Sequence, residues 1–304
     1  MLKNLIKRTI CLSLVLFLYS NTFLSAQNTP PKIWHGKERT LNYHPDGEDI
    51  VIVNGKHRFN RGVYGTNTAF RVEGGDMPEF ALYLPGMGGN LKFGIITGST
   101  SKWLIDAQSI EMRYRAGSIL YSIHDPALGK GSLSLTLLAG ATTESLVLKA
   151  EFKGVDNGAK LYWAFGGATG KKFSRDGDLG ADPESSFYLK PENCKGNAFQ
   201  ISNTSFSLNF ASKATSEADR YEIKQPGDKP AEIIAQKNQL TGLFPIGSEL
   251  RIADASKQNS PLEFWESKPV DAPAITGIIK PVNNQALYYL IQSPVEKAVI
   301  NYAD

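Results

Sequence analysis

Three acids stand close together early in the chain, Glu73, Asp76 and Glu79, and paired carboxylates are what glycoside cleavage uses, one as general acid and one as base or nucleophile. Such chemistry requires the two carboxyls to face each other across about 5–9 Å, a separation that spacing in sequence does not reveal. The other groups form no catalytic set: His35, His44, His57 and His124 lack metal-ligand spacing, and no Ser-His-Asp or Cys-His arrangement stands out. Cys194 reads as a small buried hydrophobe. Residues 166–186 hold five glycines together with Lys171, Lys172, Arg175, Asp176, Asp178, Asp182 and Glu184. Read as a loop, this stretch is either an ordered cover packed over a sheet end or a surface that contacts sugar or a docked domain. A calcium loop is the weaker third reading, since Asp176 and Asp178 have its opening spacing but Gly180 stands where an oxygen ligand belongs. A phosphate loop is excluded, because Phe165 occupies its first glycine position and Lys172 replaces the magnesium-holding hydroxyl. No cofactor or metal is expected.

Aromatic residues supply the remaining candidates. Trp34, Trp103, Trp163 and Trp265 could stack on pyranose faces, although most tryptophans in a sandwich are core or rim residues. Residues 83–90 read as a Pro-Gly turn after a strand, and its flat backbone beside Tyr83, Met87 and Asn90 could instead admit a sugar ring. The candidate ligand set is therefore Trp163, Lys171, Arg175, Asp176 and Asp178 with Tyr83 and Asn90, and no catalytic residue is assigned.

The elements that must carry these groups alternate with a period of two. Leu133, Leu135 and Leu137 oppose Ser132, Ser134 and Thr136, and the segments around Leu146–Phe152 and Phe206–Phe210 repeat the pattern. Further strands are expected over residues 50–53, 80–84, 91–96, 110–115, 119–124, 160–165, 221–224, 232–236, 249–252, 262–265, 275–279 and 286–292. No helix longer than about two turns is expected, because apolar residues rarely recur at i, i+3, i+4 and i+7. Many short antiparallel strands without interleaved helices point to an all-β sandwich of two large sheets, a supersandwich. Residues 211–219 read as a loop by composition.

Lys3, Lys7 and Arg8, an apolar run over residues 10–19 and Ser25-Ala26 before Gln27 read as a cleavable secretory signal over residues 1–26. The run is too short to span a bilayer comfortably. A leader over residues 27–48 and a sandwich domain over 49–304 complete the expected organisation, with export to the periplasm, cell surface or medium. The chain carries a formal charge of +3, all of it from the signal's basic residues, so the mature part is neutral and offers no electrostatic reason to bind nucleic acid or anionic membrane. Cys11 leaves with the signal and Cys194 remains alone, so stability must come from an apolar core.

Three strings carry a resemblance: RFNRGVYGTNTAFRV from Arg58 to Val72, PEFALYLPGMGGNL from Pro78 to Leu91, and WAFGGATGKKFSRDGD from Trp163 to Asp178. They closely resemble domain of unknown function family 4450, whose members are exported proteins of Gram-negative bacteria that live on complex polysaccharides. In many members the β domain looks like the supersandwich that precedes an α/α six-hairpin glycosidase barrel, where the catalytic carboxylates lie. No helical repeat follows residues 286–292 here, so the resemblance implies a fold and a context but no catalytic residue. Three functions are then open: an accessory sandwich domain, structural or carbohydrate-contacting, whose partner is carbohydrate or a barrel; a glycoside hydrolase with carboxylates on the sandwich; or a free-standing carbohydrate-binding protein.

Overall fold

The computed structural model describes residues 42–293 apart from 67, 69, 85, 156–157, 172–183 and 212–238. Within them lie two antiparallel sheets. The ten-stranded sheet runs, in spatial order, β1 (His44–Asp46), β2 (Asp49–Val53), β8 (Ser109–Arg115), β9 (Ser118–His124), β10 (Ser132–Ala139), β11 (Ser145–Lys153), β18 (Ala286–Gln292), β15 (Gln239–Leu243), β14 (Ser205–Asn209) and β13 (Ala198–Ser202). The eight-stranded sheet runs β16 (Glu249–Asp254), β17 (Pro273–Ile279), β12 (Ala159–Lys171), β6 (Gly86–Thr97), β5 (Glu79–Leu84), β4 (Arg71–Gly74) and β3 (Arg61–Val63), with β7 (Thr100–Trp103) paired to the far half of β6. The chain is thus the all-β two-sheet sandwich that its alternation predicts.

The alternation explains why the sheets stack. Leu133, Leu135 and Leu137 of β10 are buried and sit in register with Phe152, Ala150 and Leu148 of β11. The opposite parity carries Ser and Thr to the outside, so one face of the ten-stranded sheet packs and the other is wet. The eight-stranded sheet is different, because it is buried on both faces. Phe80, Leu82, Leu91, Phe93, Leu161, Trp163 and Phe165 point into the core between the sheets. On the other face, Tyr162, Ala164 and Ile278 pack beneath Trp103, Leu189, Cys194 and Phe264, and Ala81 packs beneath Phe59 and Phe187. Two short helices belong to this cover, α1 (Pro191–Cys194) and α2 (Pro261–Glu266).

Three expectations change. Residues 262–265 are not a strand but lie in α2: the Ser260 hydroxyl accepts from the Glu263 amide at 3.2 Å, and Pro261 occupies the first turn, a start signal that outweighs a short apolar alternation. Residues 166–171, expected to open a loop, continue β12 against β6, with Gly166 opposite Asn90 and Lys171 opposite Gly86. Glycine is needed there for close approach, since a Cβ on Gly166 would lie 2.1 Å from a Leu189 methyl carbon. Residues 44–46, expected to be leader, pair with β2 as β1. The expected strands at 221–224 and 232–236, and most of the loop expected at 211–219, lie outside the described residues.

Candidate functional site

A buried group of polar residues, Glu79, Asn90 and Lys92, lies on the covered face of the eight-stranded sheet. Because Phe80, Leu82 and Leu84 face the core, Glu79 and Tyr83 face the other way, and the same parity sends Asn90 and Lys92 to that side of β6. The register then sets them in rows: Glu79 beside Lys92 and Ala164, Ala81 beside Asn90 and Gly166, Tyr83 beside Gly88 and Ala168. Segment 187–189 lies over these rows, leaving Glu79, Asn90 and Lys92 buried.

Burial forces each group to find a partner. The Asn90 amide donates to Glu79 Oε1 at 2.8 Å and to the Phe187 carbonyl at 2.9 Å. The Arg58 guanidinium lies 3.4 Å from Glu79 Oε2 and stacks 4.6 Å over the Tyr188 ring. Lys92 Nζ donates to Gln258 Oε1 at 3.1 Å and rests 4.3 Å from the centre of the Trp103 ring. Gln258 is in turn fixed, donating to the Leu189 carbonyl at 2.8 Å and accepting from Trp103 Nε1 at 3.1 Å through its own carbonyl. Burial pushes the Lys92 ammonium below its ordinary pKa, and the Glu79 charge on the neighbouring strand offsets part of that effect.

The three acids that could have formed a catalytic pair are held separately. Glu73 accepts from Arg71 Nε. Asp76 accepts from the Tyr43 hydroxyl at 2.6 Å and from the His57 amide at 3.1 Å, and the Tyr43 hydroxyl accepts from Asn60 at 3.0 Å. Burial, and then the bond to Asp76, raise the Tyr43 phenol above its usual range. A fourth acid, Glu184, binds His57 Nδ1 at 2.5 Å and the Arg58 amide at 3.0 Å, so it clamps the strand-entry segment to the cover. Each carboxylate therefore has its own donor or cation. That is the arrangement of a packed ion-pair network, not of two acids facing a common substrate space.

The predicted ligand residues divide between the two faces of the sheet. Tyr83 and Asn90 share the covered face, and the Arg71 guanidinium lies 4.6 Å over the Tyr83 ring. Trp163 points the opposite way, fully buried, with its ring stacked on Phe244 at 3.7 Å, so it presents no face to a sugar. The Gly-rich hairpin offers no sugar bed either: Met87 is core, and a Cβ on Gly89 would lie 2.3 Å from the Phe165 ring. Lys171 ends β12 opposite Gly86. Arg175, Asp176 and Asp178, the calcium reading and Trp34 lie outside the described residues. Trp103 is buried, and Trp265 is half-buried beneath Arg251 at 4.8 Å. Burial, then Glu192 and Asp254, push the Cys194 thiol up to about 12, which keeps it protonated and inert at neutral pH. Among the described residues no three His, Cys, Asp or Glu side chains converge as a metal site.

Sequence reasoning missed Arg58, Lys92 and Gln258, and it placed Glu184 in the glycine-rich stretch without its partners His57 and Arg58. Lys92 was reachable, since it shares the parity of Asn90 along β6. Gln258 and Glu184 reach the cluster from distant segments, and no local pattern announces that.

The family model for Domain of unknown function (DUF4450) matches residues 84–304. No curated protein matches the chain. Among solved structures the chain is similar to one titled as the crystal structure of a bacterial glucoamylase complexed with acarbose, at 10% identity and a TM-score of 0.42, covering 79% of this chain. It spans 35% of that protein's length.

Proposed function

The chain belongs to the DUF4450 family, and from that membership we propose that it is an accessory β-sandwich domain of an exported polysaccharide-degrading protein, with structural or carbohydrate-contacting duty. One observation carries the non-catalytic half of this reading: Glu73, Asp76 and Glu79 are each engaged by a separate donor or cation, and Glu79 and Asp76 are only 1% exposed. A hydrolase of the sandwich type would need two carboxyls open to one glycosidic oxygen. The polysaccharide context comes from the family resemblance of the strings at Arg58–Val72, Pro78–Leu91 and Trp163–Asp178, and export from the signal-like residues 1–26. In this reading the partner is carbohydrate or a helical catalytic barrel that supplies the acid and base.

The test is direct. Secreted protein is expected to begin at or within a residue or two of Gln27, and the purified mature chain is expected to release no reducing ends from a panel of plant and microbial polysaccharides. Turnover that persists through repurification and disappears in Glu73→Gln or Glu79→Gln would overturn the accessory reading.

A further inference from the structure

The segment bearing α1, the turn at Ala255–Lys257 and the loop between α2 and β17 surround an open groove of about 640 Å³, within the range of small-ligand sites. One wall is pre-set by Asp254. Its Oδ1 accepts from the Ser256 amide at 2.9 Å, while Oδ2 accepts from the Val270 and Asp271 amides at 2.9 and 3.3 Å. Burial opposes the charge, but these bonds outweigh it and hold the carboxyl at about 2, so the wall is locked at any ordinary pH.

Three exposed lysines stand around this groove, each from a different element: Lys195 after α1, Lys257 from the turn and Lys268 from the loop. Elsewhere lysines such as Lys102 and Lys149 are paired with carboxylates, but none of these three enters an ion pair among the described residues. Pro191 and Val270 supply apolar surface between them, and Val270 is 80% exposed. Glu192 and Asp271, also exposed, add hydrogen-bond acceptors at the rim.

We propose that this groove binds an acidic oligosaccharide, a chain of pyranose rings carrying carboxylate or sulfate groups. The inference rests on the polysaccharide-directed reading above and names the ligand class and the place. Each feature of such a chain has a counterpart: anionic groups meet the three ammoniums, sugar hydroxyls donate to Glu192 and Asp271, and the C–H faces of the rings lie on Pro191 and Val270. A neutral glycan leaves the lysines unused, and among the described residues no aromatic plane lines the groove to hold it by stacking. A bare polyanion meets the three carboxylates Glu192, Asp254 and Asp271 and leaves the Pro191 and Val270 surface without a counterpart.

Calorimetric titration of the mature protein with oligogalacturonate, a heparin-derived oligosaccharide, a neutral xylan fragment and polyglutamate tests this. One or both acidic sugars are expected to bind, at least tenfold more weakly in Lys195→Ala/Lys257→Ala/Lys268→Ala and in Val270→Asp, and more weakly as salt rises. These residues are exposed, so the melting temperature is expected to stay unchanged. Oligogalacturonate alone binding assigns the groove to carboxylates, heparin alone to sulfates. Equal binding of polyglutamate, acidic-sugar binding that survives the lysine substitutions, or no binding of either acidic sugar would overturn the proposal. Glycan binding that is untouched by the groove variants sinks the groove and leaves the accessory reading standing, whereas release of reducing ends sinks the accessory reading whatever the lysines do.

Discussion

Replacing Glu79 by Gln separates a structural acid from a catalytic one. The carboxylate is 1% exposed and lies 3.4 Å from the Arg58 guanidinium, a gross attraction of about 5 kcal/mol at an effective dielectric constant near 20. The Arg58 side chain is 29% exposed, so water recovers part of that when the charge is removed. Glutamine keeps an oxygen for the Asn90 amide, which donates at 2.8 Å, so that bond survives. What remains is an arginine without its buried counter-charge and a nearby Lys92 whose ammonium loses the larger of the two charges, Glu79 and Asp106, that favour it, a loss of about 3 kcal/mol. For a domain of this size that lowers the melting temperature by roughly 6–12 °C. Urea unfolding of wild type, Glu79→Gln, Arg58→Met and the double variant is the assay. A coupling of about 2 kcal/mol or more between the two positions is expected. A Glu79→Gln protein as stable as wild type, with coupling within about 0.5 kcal/mol of zero, would refute the assignment of Glu79 to packing.

Asp254 gives a pH signature. Its folded carboxyl sits at about 2 against a usual 3.8, so it contributes about 2 kcal/mol that is fully present above pH 4 and is lost as pH falls through 2. Urea midpoints of wild type and Asp254→Asn are therefore expected to differ at pH 7 and to converge between pH 4 and 2. Removing the Ser260 cap as Ser260→Ala is expected to cost about 1 kcal/mol, read by the same unfolding curves, because the Glu263 amide loses its acceptor. The Cys194 thiol, buried and held near 12, is expected to resist iodoacetamide at pH 8 in the native protein and to react at once in urea.

Much of the fold is legible where one face of a strand is polar, as in β10 and β11. Over residues 132–137 of β10 every second residue is Leu and the others are Ser or Thr, and the pattern leaves only one orientation. Strand β12 fails that test: Leu161, Trp163 and Phe165 alternate with Tyr162 and Ala164, so both faces are apolar and the side to which Trp163 turns is not written locally. Its glycine-rich second half imitates a loop because the side chains that fill those gaps, Leu189 among them, come from elsewhere in the chain. The helix at Pro261–Glu266 was hidden by the opposite error, a two-residue alternation of Leu262 and Phe264 that outshone the Ser-Pro start. For the site, the parity of Glu79 and Asn90 is readable, but their burial is not. It depends on segment 184–194 folding over the sheet, and Gln258, 166 residues from Lys92, completes the cluster.

The central claim, that this sandwich holds polysaccharide without cleaving it, is tested most directly by recovering the ligand. Acidic oligosaccharide of one defined length is incubated with the purified mature chain, the complex is isolated, and the bound and free sugar are sized by mass spectrometry. Retained oligosaccharide of unchanged length is expected, with retention reduced in the Lys195→Ala/Lys257→Ala/Lys268→Ala variant. Shortened products that persist after repurification and vanish in Glu79→Gln would contradict it.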